Sequence, residues 1–223
     1  MMYAGIVVDY GHGGMVGGVY QTAGKQYTFT DYGGYWIGEG VSNRKSAASL
    51  IRQALAAGVR VWDAVAAREW TEAPTWDQLE QRDVSLADRV AYANDGPRRR
   101  AVYLSLHSNA VGDSSVGPSQ RARGVEMYTS PGQTAADPIA TSLIEAFRAE
   151  VAEGIPVRRG DTADGDPDME ARFYVLTRTA GPAILGEVGF FVNIHDARFL
   201  DSCAGQEAIG RAYLAGVLPF VRG

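Results

Sequence analysis

The stretch that most constrains this chain is Ile6–Gly14, IVVDYGHGG. A short β-branched run enters a glycine-rich turn that carries a histidine. That wording predicts a buried strand, about Tyr3–Asp9, whose carboxyl end presents His12. In open α/β sheets, chemistry gathers at the carboxyl ends of strands. The rest of the chain is therefore read for groups that come back to meet His12.

The following segments alternate strand and helix signals. A tyrosine-rich segment at about 15–38 contains VYQTAGKQYTFT, which reads as a hairpin turning at Ala-Gly-Lys. A helix is predicted over roughly Gly40–Ala57, with Ala47, Leu50, Ile51, Ala54 and Leu55 on one stripe. Val59–Trp62 starts a second strand. Residues 66–81 read as a loop with a short helical turn. Ser85 is placed to cap a helix over Leu86–Asn94, with Asp88 three residues on. Further strands are expected at Arg100–Leu106, Gly124–Ser130, Tyr174–Leu176 and Ala183–Val188, and helices at about 137–152 and 204–221. Polar loops are expected at 112–123 and 154–170. The pattern implies an α/β protein: a single domain over residues 1–223, with a mostly parallel twisted sheet of about six strands and helices on both faces.

Composition excludes several classes of function. The net charge of −5 argues against nucleic acid as partner, which would need a basic face, and the basic run Arg98–Arg100 reads as a solvated edge. The apolar runs are shorter than a membrane span requires, so no membrane insertion is expected. The start, MMYAGIVVDYG, lacks the pattern of a signal peptide, so synthesis in the cytoplasm is expected. One cysteine, Cys203, excludes an internal disulfide and a thiolate zinc site. It reads as a small, at least half-buried side chain in a helix.

Of three histidines, His12 and His107 share a setting: each ends an apolar strand. Glu39 opens the first long helix. Glu187 lies in ILGEVGFF, where a carboxylate is costly unless it is paired or functional. A structural ion pair with Arg178 or Arg89 is the plain alternative. Two imidazoles and a carboxylate with an open position suit catalytic zinc. A second carboxylate in an apolar setting suits a general base. Asp9, beside the turn, is placed to orient His12. Glu126 reads as a strand residue facing solvent, and His195 as an ordinary polar residue at a helix start. Trp36 and the tyrosines near it could stack on sugar or peptide.

In order, VVDYGHGG, EGVSNRKSAASLIRQALAAGVRVW, SLADRVAYAN, VYLSLHSNA, RGVEMY and AILGEVGFFVNIHDARFL resemble the zinc-dependent N-acetylmuramoyl-L-alanine amidases of the amidase-3 type. The resemblance covers nearly the whole chain and implies a phosphorylase/hydrolase-like α/β fold. It matches His12, Glu39 and His107 to the ligands of one Zn2+ per chain, and Glu187 to the catalytic glutamate. Arg89 and Asn109 match recurrent motif positions and are expected to be structural. The implied substrate is peptidoglycan, cleaved between the lactyl group of N-acetylmuramic acid and L-alanine, by a monomeric endolysin-like enzyme acting on the bacterial wall. A zinc carboxypeptidase or small-molecule amidohydrolase is the alternative, followed by a non-catalytic wall-binding module.

Overall fold

The computed structural model describes residues 2–111, 121–158, 160 and 165–222. Parts of the polar loops expected at 112–123 and 154–170 lie outside them. The first strand, β1 (Ile6–Tyr10), is buried along its whole length. Its side chains serve two cores. Ile6, Val8 and Tyr10 face one apolar cluster and Val7 faces the other, as the two-residue period of a strand requires.

Two short hairpins follow. β2 (Met15–Val16) pairs with β3 (Val19–Tyr20), and β4 (Gln26–Phe29) pairs with β5 (Tyr35–Gly38). The expected single hairpin turning at Ala-Gly-Lys is therefore not formed. Gly17 and Gly18, at φ of 57° and 80°, supply the tight two-residue turn of the first hairpin, which favours glycine. Helix α1 (Glu39–Ala56) bears the expected stripe, with Ala47, Leu50, Ile51 and Ala54 wholly buried. Truncating Leu50 or Ile51 to alanine would cost about 2–5 kcal/mol.

β6 (Val61–Asp63) is followed by β7 (Arg68–Trp70), in the stretch expected to be a loop. Arg68 and Glu69 hide this strand's character. It is an edge strand whose charged side chains face water, while Trp70 is buried. Helix α2 (Leu86–Ala93) is capped by Ser85, whose hydroxyl accepts from the Asp88 amide. β8 (Val102–Asn109), β9 (Val125–Thr129), α3 (Asp137–Glu150) and β10 (Met169–Glu170) come next. Residues Tyr174–Arg178 form helix α4, where a strand was expected. Three apolar residues cannot distinguish the two periods; here Val175 and Leu176 are buried against the second core cluster. After β11 (Ala183–Phe190) come α5 (Ile194–Asp201) and α6 (Cys203–Val217). Asn193 caps α5 by accepting from the amides of His195 and Asp196. The last helix is shorter than expected because Pro219 cannot continue it, and Leu218–Phe220 tightens to a 3-10 turn. Cys203 opens α6 and is exposed.

Among the described residues the sheet has seven strands, in the order β10-β9-β11-β8-β1-β6-β7. The β6-β1-β8-β11 block is parallel, while β9 runs antiparallel to β11 and β7 antiparallel to β6. Helices α1, α3 and α6 pack together over one face, and α2 and α4 cover the other. The expected α/β architecture is present, with one strand more and two antiparallel neighbours. No helix among the described residues is long and apolar enough to cross a membrane.

Candidate metal centre

The parallel block sets the site. The Gly11 amide donates to the Leu106 carbonyl, 2.9 Å, so the β1–β8 ladder continues into the turn and delivers His12 beside His107. Their ring centroids are 5.1 Å apart and nearly perpendicular. A β-carbon on Gly11 would fall 2.0 Å from the His107 ring. Glycine is thus required here by an imidazole of the chain itself. His12 holds φ of 67°, a left-handed conformation uncommon outside glycine and costing of order 1–3 kcal/mol. The turn is held by flanking contacts: the Gly13 amide donates to Thr22 Oγ1 at 2.8 Å, and the Gly14 amide to the Gln81 carbonyl at 2.7 Å.

Glu39 is the first residue of α1 and fully buried. Its Oε1 lies 3.3 Å from His12 Nε2 and 3.1 Å from His107 Nδ1, and accepts from the Ser108 amide at 3.3 Å. Its Oε2 is buried without a hydrogen-bond partner. Burial alone would raise this carboxyl's pKa; the imidazoles of His107 and His12 override that and hold it well below the usual range. Burial likewise opposes protonation of His107, and Glu39 overrides it, raising the imidazole's pKa.

Donor atoms of His12, Glu39 and His107 all lie within 4.8 Å of one another. Two imidazole nitrogens, a carboxylate oxygen and a second, buried carboxylate oxygen without a hydrogen bond fit a divalent cation, and the donor chemistry suits zinc. Glu187 stands on β11 as the register partner of His107. Among the described residues its Oε2 is buried without a hydrogen-bond partner, and burial raises its pKa to about 7. The ion pairs considered for it are not formed: Arg89 is engaged elsewhere, and no bond joins Arg178 to Glu187.

Among the described residues, no hydrogen bond joins Asp9 to His12. Its two oxygens accept from Arg89 Nη1 at 2.6 Å and Ser105 Oγ at 2.6 Å. Arg89 also donates to the carbonyls of Tyr10 and Val84, at 2.9 Å each, so this buried pair braces β1 against α2. Asn109 Nδ2 donates to Glu126 Oε2 at 3.0 Å. Glu126 was expected to face solvent. Instead it is half-buried, directly across the ladder from Glu187, with Arg158 Nε at 2.8 Å and the Tyr128 hydroxyl at 3.1 Å. Its alternation with buried Val125 and Met127 was legible, but not that this face of β9 borders the site. His195 is exposed at the start of α5.

Two residues at the site escaped the sequence reading. Arg44 is wholly buried in α1. It donates to the carbonyls of Glu80 (2.8 Å) and Gly40 (2.7 Å), tying the 80–82 segment to the first turn of α1. Lys25 places Nζ 3.4 Å from Glu39 Oε2. Neither sits in a pattern that marks it.

This is an α/β sheet with a two-histidine, one-carboxylate cation site at its strand ends. Residues 6–218 match the Amidase_3 model, N-acetylmuramoyl-L-alanine amidase, and the chain belongs to that family, which is generally metal-dependent. It is 33% identical over 141 residues to the N-acetylmuramoyl-L-alanine amidase CwlM of Bacillus licheniformis, covering 63% of this chain and 47% of that protein. The chain thus spans about half the length of that curated relative. Among solved structures, an N-acetylmuramoyl-L-alanine amidase from Clostridium difficile 630 superposes with TM-score 0.69 at 22% identity, over 98% of this chain and 96% of that one. The apo form of Ami1 from Mycobacterium abscessus gives TM-score 0.68 at 18% identity, over 99% of both chains. At these identities the structural likeness speaks for the fold.

Proposed function

We propose that this protein hydrolyses the amide between the lactyl group of N-acetylmuramic acid and L-alanine in peptidoglycan. The observation that carries the reading is Glu187: a buried carboxylate with a free oxygen, on the strand next to His107, with its pKa raised to about 7. A general base needs a pKa near the working pH.

His12, Glu39 and His107 would hold one divalent cation, which we assign as zinc; it would supply Lewis acidity toward the amide carbonyl and acidify water. Glu187 takes a proton from the attacking water as its oxygen adds to the carbonyl carbon. The π pair of the C=O bond moves to the carbonyl oxygen. When that pair returns, the C–N bond breaks, and Glu187 passes its proton to the departing nitrogen of L-alanine. One glutamate therefore serves as base and then acid, leaving the lactyl carboxylate and a free stem peptide.

The exposed side of the 15–38 segment supports a polymer substrate. Trp36 lies there edge-on to Tyr20, centroids 5.7 Å apart and 37% exposed, an apolar surface on which a sugar can stack. Mass spectrometry of muropeptides digested by the zinc-loaded protein tests the reading. Intact stem peptides freed from glycan are expected. Peptides trimmed only at their ends would establish the carboxypeptidase alternative. Adding the protein to intact walls, and following turbidity, tests a lysin role.

A further inference from the structure

Lys25 follows the tight turn between β3 and β4, and its main chain is pinned to the start of α1. Its carbonyl accepts from the Glu39 amide at 2.8 Å and from the Tyr20 hydroxyl at 2.9 Å. That hydroxyl in turn accepts from the Gly40 amide at 2.9 Å. The backbone is therefore fixed where the side chain overhangs the candidate cation site. Nζ lies 3.4 Å from Glu39 Oε2, the buried oxygen that has no hydrogen bond. The side chain is 41% exposed, so the ammonium faces both the site and the solvent from which a substrate arrives.

A plain structural ion pair accounts poorly for this placement. A half-exposed contact of this length without a hydrogen bond contributes little to stability. It also places a positive charge beside a carboxylate that binds a cation, which weakens cation binding. Among the acidic groups at the rim, Glu126 already has Arg158. Among the described residues, Lys25 is a cation placed to meet negative charge that arises at the reacting centre.

We infer that the Lys25 ammonium touches the scissile carbonyl oxygen and stabilises the negative charge gathered there while the C=O π pair resides on oxygen. This makes Lys25 a catalytic residue contributed by the two-hairpin segment. The inference rests on the amidase reading above.

The test uses the zinc-loaded full chain, a soluble muramoyl-L-alanyl peptide, and the variants Lys25→Met and Lys25→Arg. Two quantities are read: steady-state kinetics, and zinc affinity by competition with a chelator. Removing an oxyanion donor lowers kcat by about a hundredfold, so Lys25→Met is expected to lose that much with KM nearly unchanged. Its zinc affinity is expected to rise about fivefold, the scale of one unit-charge repulsion across a few ångströms in water. Lys25→Arg should keep the zinc affinity of the parent and recover most of kcat. A Lys25→Met variant with unchanged kcat overturns the inference. So does one in which kcat and zinc affinity fall together, the outcome of a bracing role. If the parent protein binds zinc but cleaves no muramoyl amide, the amidase reading itself fails, and this role with it; that result is distinct from an active parent indifferent to Lys25.

Discussion

His107 and Glu187 are register partners on the adjacent parallel strands β8 and β11. Partners in a parallel ladder project their side chains from the same side, with the strands about 4.8 Å apart. The gap between a candidate ligand and the candidate base is therefore set by sheet hydrogen bonds rather than by a loop. Glu126, the partner of Glu187 on β9, closes the other side and is satisfied by Arg158, Asn109 and Tyr128. Glu187 is the member of this row left with a free buried oxygen.

Glu187→Gln should separate chemistry from folding. Loss of an acid–base group costs about 10²–10⁴-fold in rate. The variant should lose kcat on that scale, keep its zinc, and melt at or slightly above the parent temperature, because a buried unpartnered carboxylate is removed. Product chromatography and a thermal melt check both outcomes.

Zinc should stabilise the fold by an amount that grows with the logarithm of its concentration. At a hundred times Kd, binding adds about 2.7 kcal/mol, which for a chain of this size raises Tm by roughly 5–10 °C. Differential scanning fluorimetry with and without zinc should show that shift in the parent and in His195→Ala. His107→Ala, which removes a nitrogen donor, should lose it.

Gly11→Ala probes the packing beneath the site. The added methyl group would lie 2.0 Å from the His107 ring, so the imidazole must rotate or shift. Disturbing a ligand's orientation costs about 10–100-fold in metal affinity, and overpacking costs about 1–3 kcal/mol. Chelator competition and urea unfolding measure the two effects separately.

The buried Asp9–Arg89 pair should give stability a specific pH dependence. Burial would raise the Asp9 pKa; Arg89 and the Ser105 hydroxyl more than reverse this, so its folded value lies below 3.8. The stabilisation is therefore complete above pH 3.8 and lost as pH falls through the lower folded value. Arg89→Met strands the carboxylate and should cost about 3–5 kcal/mol at pH 7. Adding Asp9→Asn should recover part of the loss. Urea midpoints of parent and Arg89→Met should converge as the pH drops below 3.8.

The two histidines were legible because each ends an apolar strand, and Glu187 because a carboxylate in ILGEVGFF conflicts with its neighbours. Glu39 was placed at a helix start, and the helix is there. Strand β7 was hidden because it has only three residues and two of them, Arg68 and Glu69, are charged. Helix α4 was hidden by its brevity. The partners of Asp9 and Glu126 were hidden for a different reason. Their partners, Arg89 at 80 positions' separation and Arg158 on a segment bridged to β9, are set by topology. No local pattern records such a meeting. Lys25 is the extreme case: an ordinary turn lysine until α1 is folded against its carbonyl.

The 15–38 segment contributes chiefly Phe29 and Ile37 to the buried core, whereas the two histidines and Glu187 are set by the ladder and its continuation. The molecule is thus modular in an evolutionary sense. Exchanging the hairpins, provided those two apolar anchors, Lys25 with its tie to α1 and the Thr22 contact to the histidine turn are retained, would alter the exposed surface beside the site while the spacing of the two histidines and Glu187 is inherited from the sheet.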